Sequence, residues 1–456
     1  MMQLAWVPIS SFLDSSSKPL PLAHPFMSPS TDDHRGTRWL LCVVIGVLII
    51  RGACMVALDH KMDDDVDQYR QLAENIRQHH VYGRDGKDGI QPTAFRPPLY
   101  PLLLAGTSVS GNVSHLQVMI LHVLVAVATV LIVIRLAQDL GFGRASWLAG
   151  LLVAIDPILL YQSTQLMTET VATLLAVLLL WVLARSDEGR KPNWMFLSGM
   201  IAGLAILCRP TFLAFACLAW LLVAAGRHWK PLAMFTLAGS LVMMPWIVRN
   251  ARQLGEPVLA TTHGGYTLLL GNNPLFYEHL RTAPRGAVWN PDRFDAGWHN
   301  NHLSQDPGFD FWSNTTPPPS AGPRRGELED DKFAYRVAAH SIRADLPGFG
   351  WSCLVRLGRF WNPLAHQVVQ DESTGSRLLR YATGGWYVGI LALAATGIWR
   401  RRSKLQSEGW VWGLLLCLAF SLVHTFYWSD IRMRAPVMPF VYLAALSCLR
   451  KLEVRR

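Results

Sequence analysis

Long blocks of apolar residues restrict the fold of this chain more than any other feature. Hydrophobic residues make up 51% of its 456 residues and charged residues only 16%. The apolar residues are gathered into runs close to the length of about 20 residues that a helix needs to cross a bilayer. We therefore predict an all-α, polytopic membrane protein with about ten transmembrane helices. The predicted spans are residues 39–57, 116–136, 145–161, 170–184, 194–207, 211–225, 231–248, 381–399, 410–426 and 435–449.

Basic residues mark one side of this predicted bundle. If the N-terminus is cytoplasmic and the spans alternate, every short inner loop carries lysine or arginine, which is the usual bias of cytoplasmic loops. The formal net charge of +10 then follows from membrane orientation, and no nucleic-acid partner is expected. We expect a multi-pass protein of the bacterial cell (inner) membrane with both termini in the cytoplasm. The inner basic residues are Arg35, Arg38, Arg135, Arg144, Arg185, Arg190, Lys191, Arg227, Lys230, Arg400, Arg401, Arg402, Lys404, Arg450, Lys451, Arg455 and Arg456.

The polarity pattern divides the chain into four parts. Residues 1–37 are rich in Ser and Pro and are predicted to form a disordered cytoplasmic tail. Residues 38–250 are predicted to form an N-terminal transmembrane module that includes a first outer loop at 58–115. Residues 251–380 form a small extracytoplasmic segment, and residues 381–456 supply the last helices and a short basic tail.

Local patterns refine the outer regions. Residues 98–108 are about half as long as a span, and we predict a partly embedded outer helix there. Residues 314–323 (NTTPPPSAGP) are typical of a flexible linker. Residues 264–274 are interpreted as strand or loop, whereas residues 331–340 and 349–360 are predicted to be short surface helices.

The first outer loop opens with a run of acidic residues, DDDVDQY at 63–69. One interpretation is a solvated acidic cap. The following residues, 69–76, have the spacing of an amphipathic helix that lies along the membrane surface. Such a helix would hold an aspartate of this run at the water–lipid boundary. A carboxylate at that place acts as a general base if it reaches an acceptor hydroxyl.

Glu169 stands at the outer mouth of the predicted span at 170–184. A carboxylate at a helix start is stabilised by the helix dipole, so helix capping is one interpretation. The alternative is a second acidic group that faces the first loop. In that case Glu169 would orient an acceptor or help to bind a divalent metal. The sequence contains no dense cluster of metal ligands and no Cys-x-x-Cys pair, so neither a metal nor another cofactor is required.

Arginines lie at the outer ends of several predicted helices, against the usual bias. Each of them alone is explained by snorkelling to the interface. Together they favour a common anionic ligand, because guanidinium groups fork onto phosphate oxygens and a lipid-linked phosphate fits at that depth. These arginines are Arg96, Arg209, Arg249, Arg432 and Arg434. His263, beside two glycines, is a further candidate for a ligand or general acid, although a single loop histidine is more often structural.

Two segments of the first loop resemble the start of the GT-C glycosyltransferases, and more narrowly the branch of protein O-mannosyltransferases and lipid A aminoarabinose transferases. They are DVDQYRQLA at 65–73 and TAFRPPLYP at 93–101. Later segments follow in the same order as in that family. They are the segments around Glu169, Arg209-Pro210, Trp246 to Asn250, Gly271 to Pro274 and Arg432 to Pro436.

The resemblance implies a GT-C-like bundle with outer amphipathic helices and an inverting transfer of a hexosyl or pentosyl group. The sugar would move from a polyprenyl-phosphate donor to a hydroxyl of a protein, lipid or cell-envelope glycan at the outer face. The family's catalytic aspartate begins an Asp-x-x-x-Tyr pattern, which corresponds to Asp65, with the register open within residues 63–67. The second acidic position corresponds to Glu169. Substrate binding is then expected at Asp67, Tyr69, Arg96, Arg209, Arg249, His263, Arg432 and Arg434.

Two other functions would use the same features. A transporter or flippase of lipid-linked sugars would bind its ligand with the same arginines and would need no base. Such proteins contain inverted repeats or helices interrupted at the membrane midplane, and neither is visible in the sequence. A non-catalytic assembly subunit is the third possibility, for which loss of the acidic residues would have no enzymatic effect.

Overall fold

The regular structure of the chain is almost entirely helical. The computed structural model describes residues 33–87, 89–284, 287–300, 304–313, 325–365, 372–404 and 409–449. The predicted all-α membrane fold class is confirmed. The helices are α1 Asp33–Ala57, α2 Tyr69–His79, α3 Leu99–Thr107, α4 His115–Asp139, α5 Ser146–Ala154, α6 Pro157–Ser163, α7 Glu169–Ala184, α8 Pro192–Cys208, α9 Phe212–Ala225, α10 Trp229–Leu254, α11 Gly264–Gly271, α12 Pro274–Thr282, α13 Asp292–Asn300, α14 Glu327–Ala344, α15 Leu346–Trp361, α16 Thr374–Arg400, α17 Trp410–Phe426 and α18 Met438–Ser447.

Residues 1–44 and residues 45–456 form two separate units. In the first unit the described residues belong to α1, which begins at Asp33, inside the predicted tail. The rest of that tail, the predicted linker at 314–323 and the basic residues after 449 lie outside the described residues. All the candidate site residues belong to the second unit.

Each of the ten predicted spans coincides with a helix or a broken helix. In the described part of the chain, α4, α10 and α16 are long and apolar enough to cross a membrane alone, and the pair 143–154 and α6, bent by 51°, adds a fourth. Five others are shorter apolar helices. Most residues of α7, for example, are buried against protein, and a helix shielded in this way need not match the bilayer by itself. The count of about ten spans stays a prediction.

Helices α8 and α10 pack with their backbones in close approach. A Cβ atom added at Gly199 would lie 2.2 Å from the carbonyl oxygen of Phe235, and one at Gly203 would lie 2.9 Å from Val242 Cβ. Only glycine leaves room for this contact. Small residues four apart on one helix face are a common way to join membrane helices, and here they fix α10, which carries Arg249 at its outer end.

The segment at residues 251–380, which is predicted to be extracytoplasmic, has a small aromatic core of its own. Phe294, Trp298, Phe311 and Phe333 are buried there together with Leu269. The interpretation of residues 264–274 as strand or loop was wrong, because residues 264–271 form α11. The helical conformation of α11 directs Leu269 into the aromatic core. The glycines at the start of α11 leave room for α14 to lie directly on the α11 backbone. A Cβ at Gly265 would lie 2.1 Å from the carbonyl oxygen of Asp331.

The predicted outer helices are present. Helix α3 covers Leu99–Thr107 as expected, and the two predicted surface helices are the longer α14 and α15. Between α2 and α3 the loop makes a short antiparallel hairpin of β1 (Gly83–Gly86) and β2 (Gly89–Pro92), with Gly83 opposite Pro92. This hairpin leads the chain from the acidic run to Arg96.

Candidate active site

Asp65 is positioned by the helix that follows it. Its Oδ2 atom accepts a hydrogen bond of 3.1 Å from the backbone N–H of Gln71, in the first turn of α2. Backbone N–H groups at a helix start lack partners within the helix, so a carboxylate satisfies one of them. The Oδ1 atom is buried and has no hydrogen-bond partner among the described residues. One oxygen therefore orients the carboxylate and the other is left to accept a proton.

Asp67 and Arg96 form an ion pair with an Nη2–Oδ1 distance of 2.6 Å. The guanidinium of Arg96 also lies 4.3 Å from the ring centre of Phe95. This pair joins the acidic run to the start of α3 and closes the first loop. Arg96 is therefore one member of an ion pair and not an isolated cation.

Tyr69 connects the first loop with the mouth of α7. Its ring packs edge-on against Tyr100, with 5.1 Å between centroids. Burial and the negative charge of Asp67 raise the pKa of its hydroxyl, and the hydroxyl also lies within electrostatic range of Glu169 and Arg209. Tyr69 is therefore a neutral hydrogen-bond donor at any physiological pH.

Glu169 is paired with two arginines that are distant in sequence. Its Oε1 atom lies 3.2 Å from Arg209 Nη1 and 4.0 Å from Arg432 Nη1. The Glu169 side chain is 2% exposed, whereas the side chains of Arg209 and Arg432 are 12% and 31% exposed. The cluster carries one excess positive charge and opens on the side of Arg432. The Oε2 atom of Glu169 is buried and has no hydrogen-bond partner among the described residues.

Two methionine sulfur atoms contact this arginine pair. Arg209 Nη2 lies 2.9 Å from Met433 Sδ, and Arg432 Nη1 lies 3.6 Å from Met167 Sδ. A thioether is a weak acceptor. An anionic ligand would offer these N–H groups a stronger acceptor, so the arrangement suits an exchangeable phosphate.

Arg249 and His263 lie at the edge of this region and make structural contacts. Arg249 donates to the carbonyl oxygens of Thr93 and Tyr82, at 2.7 and 2.5 Å, and so fastens the first loop to α10. The His263 ring packs against Phe95, with 4.6 Å between centroids. Burial, followed by the nearby Arg96 and Arg84 charges, lowers the pKa of His263 to about 3. It is therefore neutral at physiological pH.

Arg434 is not among the ion-pair partners of Glu169, which are Arg209 and Arg432. It is fully buried and donates from Nη1 to the carbonyl oxygens of Asn362 and Phe360, at 2.6 and 3.3 Å. Its guanidinium lies 4.3 Å from the ring centre of Tyr387. The structure thus brings Asp67, Tyr69, Glu169, Arg209 and Arg432 together and places Arg434 in a separate network.

Asp156 is the centre of that second network, and the sequence analysis did not select it. It caps α6 by accepting from the Leu159 N–H at 2.6 Å, and its Oδ2 accepts from the hydroxyls of Tyr387 and Tyr442 at 3.0 and 2.5 Å. The network joins the break between α5 and α6 to α16 and α18. The sequence contained a signal for this network, because Asp156 is an ionisable residue inside a predicted span and directly precedes a proline.

Glu327 is the other residue that sequence reasoning missed. It begins α14, and its Oε1 accepts from the Ala94 N–H at 2.8 Å. The hydroxyls of Thr93 and Thr262 also donate to this carboxylate. Glu327 therefore joins the extracytoplasmic segment to the first loop next to Arg96. No local pattern distinguishes it from the other acidic residues near the start of α14.

Positive charge surrounds Glu169 among the described residues. Within the described residues, no three His, Cys, Asp or Glu side chains converge on a common point. The partners of Glu169 are two guanidinium groups, whose positive charge opposes the approach of a divalent cation. The arrangement suits an anion.

The comparisons with known proteins agree with the resemblance seen in the sequence. Residues 95–249 match the sequence profile of a family described as dolichyl-phosphate-mannose-protein mannosyltransferases. The matched range includes Arg96, Glu169, Arg209 and Arg249. No curated protein sequence matches the chain.

Solved structures of two enzymes are similar to the chain. The oligosaccharyltransferase of Archaeoglobus fulgidus, crystallised with a tethered acceptor peptide, has a TM-score of 0.47 at 15% identity, over 90% of this chain and 49% of that one. The chain therefore spans about half the length of that enzyme. ArnT from Cupriavidus metallidurans has a TM-score of 0.41 in the apo state, at 14% identity over 88% of this chain and 78% of ArnT. ArnT bound to undecaprenyl phosphate also scores 0.41, at 15% identity over 91% and 78%.

The family match is limited to one third of the chain, but it lies where the resemblance was noted. It begins within the second first-loop segment, at residue 95, and ends at Arg249, the last residue of α10 with a predicted role. Over residues 95–249 the chain carries the sequence pattern of the protein mannosyltransferase family, which confirms the predicted resemblance to the branch of GT-C glycosyltransferases that includes ArnT.

Proposed function

We propose that the protein is an inverting membrane glycosyltransferase that moves a sugar from a polyprenyl-phosphate donor to an acceptor hydroxyl. The observation that carries this proposal is the convergence of the first loop on the Glu169 cluster. Tyr69, four residues after Asp65, lies within electrostatic range of Glu169 and Arg209. The first loop, which carries Asp65, and the cationic pair are therefore close enough to interact electrostatically through Asp67 and Tyr69.

Asp65 is the general base of the proposed reaction. Its free Oδ1 accepts the proton of the acceptor hydroxyl while the acceptor oxygen attacks the anomeric carbon of the donor sugar. The bond between that carbon and the phosphate oxygen breaks, and its electron pair leaves with the lipid phosphate. Attack from the face opposite the leaving group inverts the anomeric centre.

Arg209 and Arg432 stabilise the leaving lipid phosphate. Charge develops on the phosphate oxygen as the bond breaks, and fixed cations act most strongly where charge develops. Glu169 holds both guanidinium groups in place and keeps the empty cluster from carrying two uncompensated charges. Its free Oε2 accepts a hydrogen bond from a hydroxyl of the sugar or the acceptor, and the neutral Tyr69 hydroxyl is a donor at the same place.

The site belongs to the outer face of a bacterial inner membrane, with both chain termini in the cytoplasm. The basic inner loops support this orientation. The transferred group is a hexose or a pentose, and the acceptor is a hydroxyl of a protein, a lipid or a cell-envelope glycan. The donor lipid, the bilayer and that acceptor are the partners of the proposed enzyme.

The experiment compares two neighbouring aspartates in a reconstituted assay. The full chain in liposomes is offered undecaprenyl-phosphate-linked mannose or aminoarabinose together with a bacterial envelope extract that supplies acceptor hydroxyls, and the release of undecaprenyl phosphate that depends on the extract is measured. Asp65→Asn is expected to lower the rate by about 10²–10⁴-fold. Asp64→Asn is the matched control, because Asp64 is exposed, and it is expected to keep the rate. Full activity in Asp65→Asn contradicts the assignment of the base.

A flippase for lipid-linked sugars is the second candidate. It is favoured by the 51° break between residues 143–154 and α6, since transporters often interrupt a helix at the binding site. A flippase would move fluorescent undecaprenyl phosphate between the leaflets of a liposome, and Asp65→Asn would not affect that movement. Sugar release without lipid movement would reject this candidate.

A further inference from the structure

A cleft on the extracytoplasmic segment lies apart from the residues of the proposed reaction. It has a volume of about 400 Å³ and is lined by Tyr335, Arg336, His340 and Arg343 of α14 and by the turn at residues 306–308. This volume is within the range of small-molecule sites, about 300–1,000 Å³. None of these residues has a part in the mechanism above.

The cleft face of α14 is exposed. Phe333 and Val337 are buried in the aromatic core. Arg336, His340 and Arg343 are exposed and follow one another at intervals of four and three residues, so they share one face of the helix. The helix therefore presents two arginines and a histidine on an exposed face that borders the aromatic core at Phe333.

The two arginines of this face differ from Arg281 and Arg325 in the same segment. Arg281 is paired with Asp345 at 2.5 Å and Arg325 with Asp330 at 3.0 Å. Among the described residues neither arginine of the cleft makes a hydrogen bond or an ion pair. The guanidinium of Arg336 lies 5.3 Å from the ring centre of Phe333.

The single carboxylate in the lining does not neutralise these arginines. Asp306 accepts from the Gly308 N–H at 2.9 Å and so stabilises its own turn. Two uncompensated guanidinium groups on one wall of a cleft fit the paired oxygens of a carboxylate or phosphate group.

Tyr335 gives the cleft an aromatic wall and a connection to the first loop. Its side chain is 36% exposed and lies on Gly264, where an added Cβ would be 2.2 Å from the hydroxyl oxygen. His263 precedes Gly264 and packs against Phe95, the neighbour of Arg96. The cleft and the proposed active site are thus linked by a short series of direct contacts.

We propose that this cleft binds an acidic saccharide, one that carries carboxylate or phosphate groups, as part of the acceptor. The arginines take the acidic groups and the Tyr335 ring takes the apolar face of a sugar ring. The assignment of this ligand as acceptor rests on the proposed transferase function. The cleft then selects an acidic glycan or glycolipid, and the Asp65 region transfers the sugar.

The test measures binding without any sugar transfer. Purified full-length protein is titrated with trigalacturonic acid, with neutral maltotriose and with inorganic phosphate at low salt. Trigalacturonic acid is expected to bind at least about tenfold more tightly than maltotriose, and Arg336→Ala/Arg343→Ala is expected to remove that difference. Arg336→Lys/Arg343→Lys keeps the charge but loses the paired geometry, and an intermediate affinity is expected. Arg252→Ala removes another exposed arginine and should leave binding unchanged.

Three results would overturn the proposal. They are equal affinity for the acidic and neutral trisaccharides, unchanged affinity in both double variants, and displacement of trigalacturonic acid by an equal concentration of inorganic phosphate. Asp65→Asn should bind trigalacturonic acid as the wild type does, so a failure of the transferase proposal and a failure of this cleft give different results. The unfolding temperature of each variant shows that the cleft is intact.

Discussion

Glu169 Oε1 and Arg209 Nη1 lie 3.2 Å apart although α7 and α8 separate them by 40 residues in the chain. Arg432 joins the same carboxylate from the C-terminal part of the chain at 4.0 Å. One glutamate therefore balances two cations at the place where the first loop meets the bundle. The negative charge of Glu169 sets how strongly the cluster attracts an anion. A substitution that removes this charge and keeps the shape of the side chain tests the relation.

Glu169→Gln should bind the lipid phosphate more tightly and transfer sugar more slowly. The substitution raises the net charge of the cluster from +1 to +2, so undecaprenyl phosphate is expected to bind roughly tenfold better, a change of about 1.4 kcal/mol. The rate should fall because the product phosphate is held and a hydrogen-bond acceptor is weakened. Fluorescence titration and turnover on the same preparation measure both effects. Glu188→Gln, which alters an ion pair with Arg190, is the control, and weaker phosphate binding by Glu169→Gln contradicts the charge argument.

Asp156 and Arg434 should be energetically coupled. Asp156→Asn weakens the acceptor of the Tyr387 and Tyr442 hydroxyls, and the Tyr387 ring lies against the Arg434 guanidinium, so the substitution is expected to cost about 1–3 kcal/mol. In Asp156→Asn/Arg434→Met both charges are gone, so the loss should be clearly smaller than the sum of the single losses. Thermal unfolding of the four proteins in detergent gives the coupling.

Tyr442→Phe provides a milder comparison for that cycle. It removes one hydroxyl that donates to Asp156 and should cost about 1 kcal/mol. Strict additivity of the two single losses would show that Asp156 and Arg434 do not sense each other.

His263 should make the folded protein less stable in mild acid. The pKa of about 3 in the folded chain compares with about 6.5 in an unfolded chain. Well above pH 6.5 His263 is neutral in both the folded and the unfolded chain, and its burial does not reduce the stability of the fold. As the pH falls from 6.5 towards 3, only the unfolded chain binds the proton, so stability decreases, by about 2 kcal/mol at pH 5.

His263→Gln cannot bind that proton and should lose less stability between pH 7.5 and pH 5 than the wild type. Unfolding temperatures at the two pH values, in one buffer system, measure the difference. His299→Gln is a suitable comparison on α13. Identical pH dependence in wild type and His263→Gln would mean that the ring is accessible to protons in the folded protein.

Glu327→Gln should loosen the first loop. The carboxylate receives the Ala94 N–H and two threonine hydroxyls, and a neutral amide is a weaker acceptor for all three. Hydrogen exchange of the peptide at residues 93–97 should become faster by about tenfold, while exchange in α8 and α10 stays the same. Glu329→Gln, an exposed neighbour on α14, is the control. Unchanged exchange would show that Arg249 alone holds the loop.

The positions of the helices and the two acidic groups could be predicted because their signals are local. Apolar runs mark helices wherever they pack, and the Asp-x-x-x-Tyr pattern lies within five residues. The partners of the arginines could not be predicted in this way. Arg209 meets Met433 across 224 positions, and Arg249 meets Thr93 across 156, so hydropathy and spacing contain no information about either contact. The same limit explains why Arg434 was grouped with Arg432, although the two side chains have different partners in the structure.

The Asp156 network also bears on how the protein is made. The hydroxyls that satisfy its carboxylate come from Tyr387 and Tyr442, which are 231 and 286 residues later in the chain. During synthesis, Asp156 enters the membrane long before either tyrosine exists, and an unsatisfied ionisable group in that setting is costly. The N-terminal helices would therefore stay loosely assembled until the last helix leaves the ribosome, and a nascent chain stopped before Tyr442 should be a preferred target for membrane proteases.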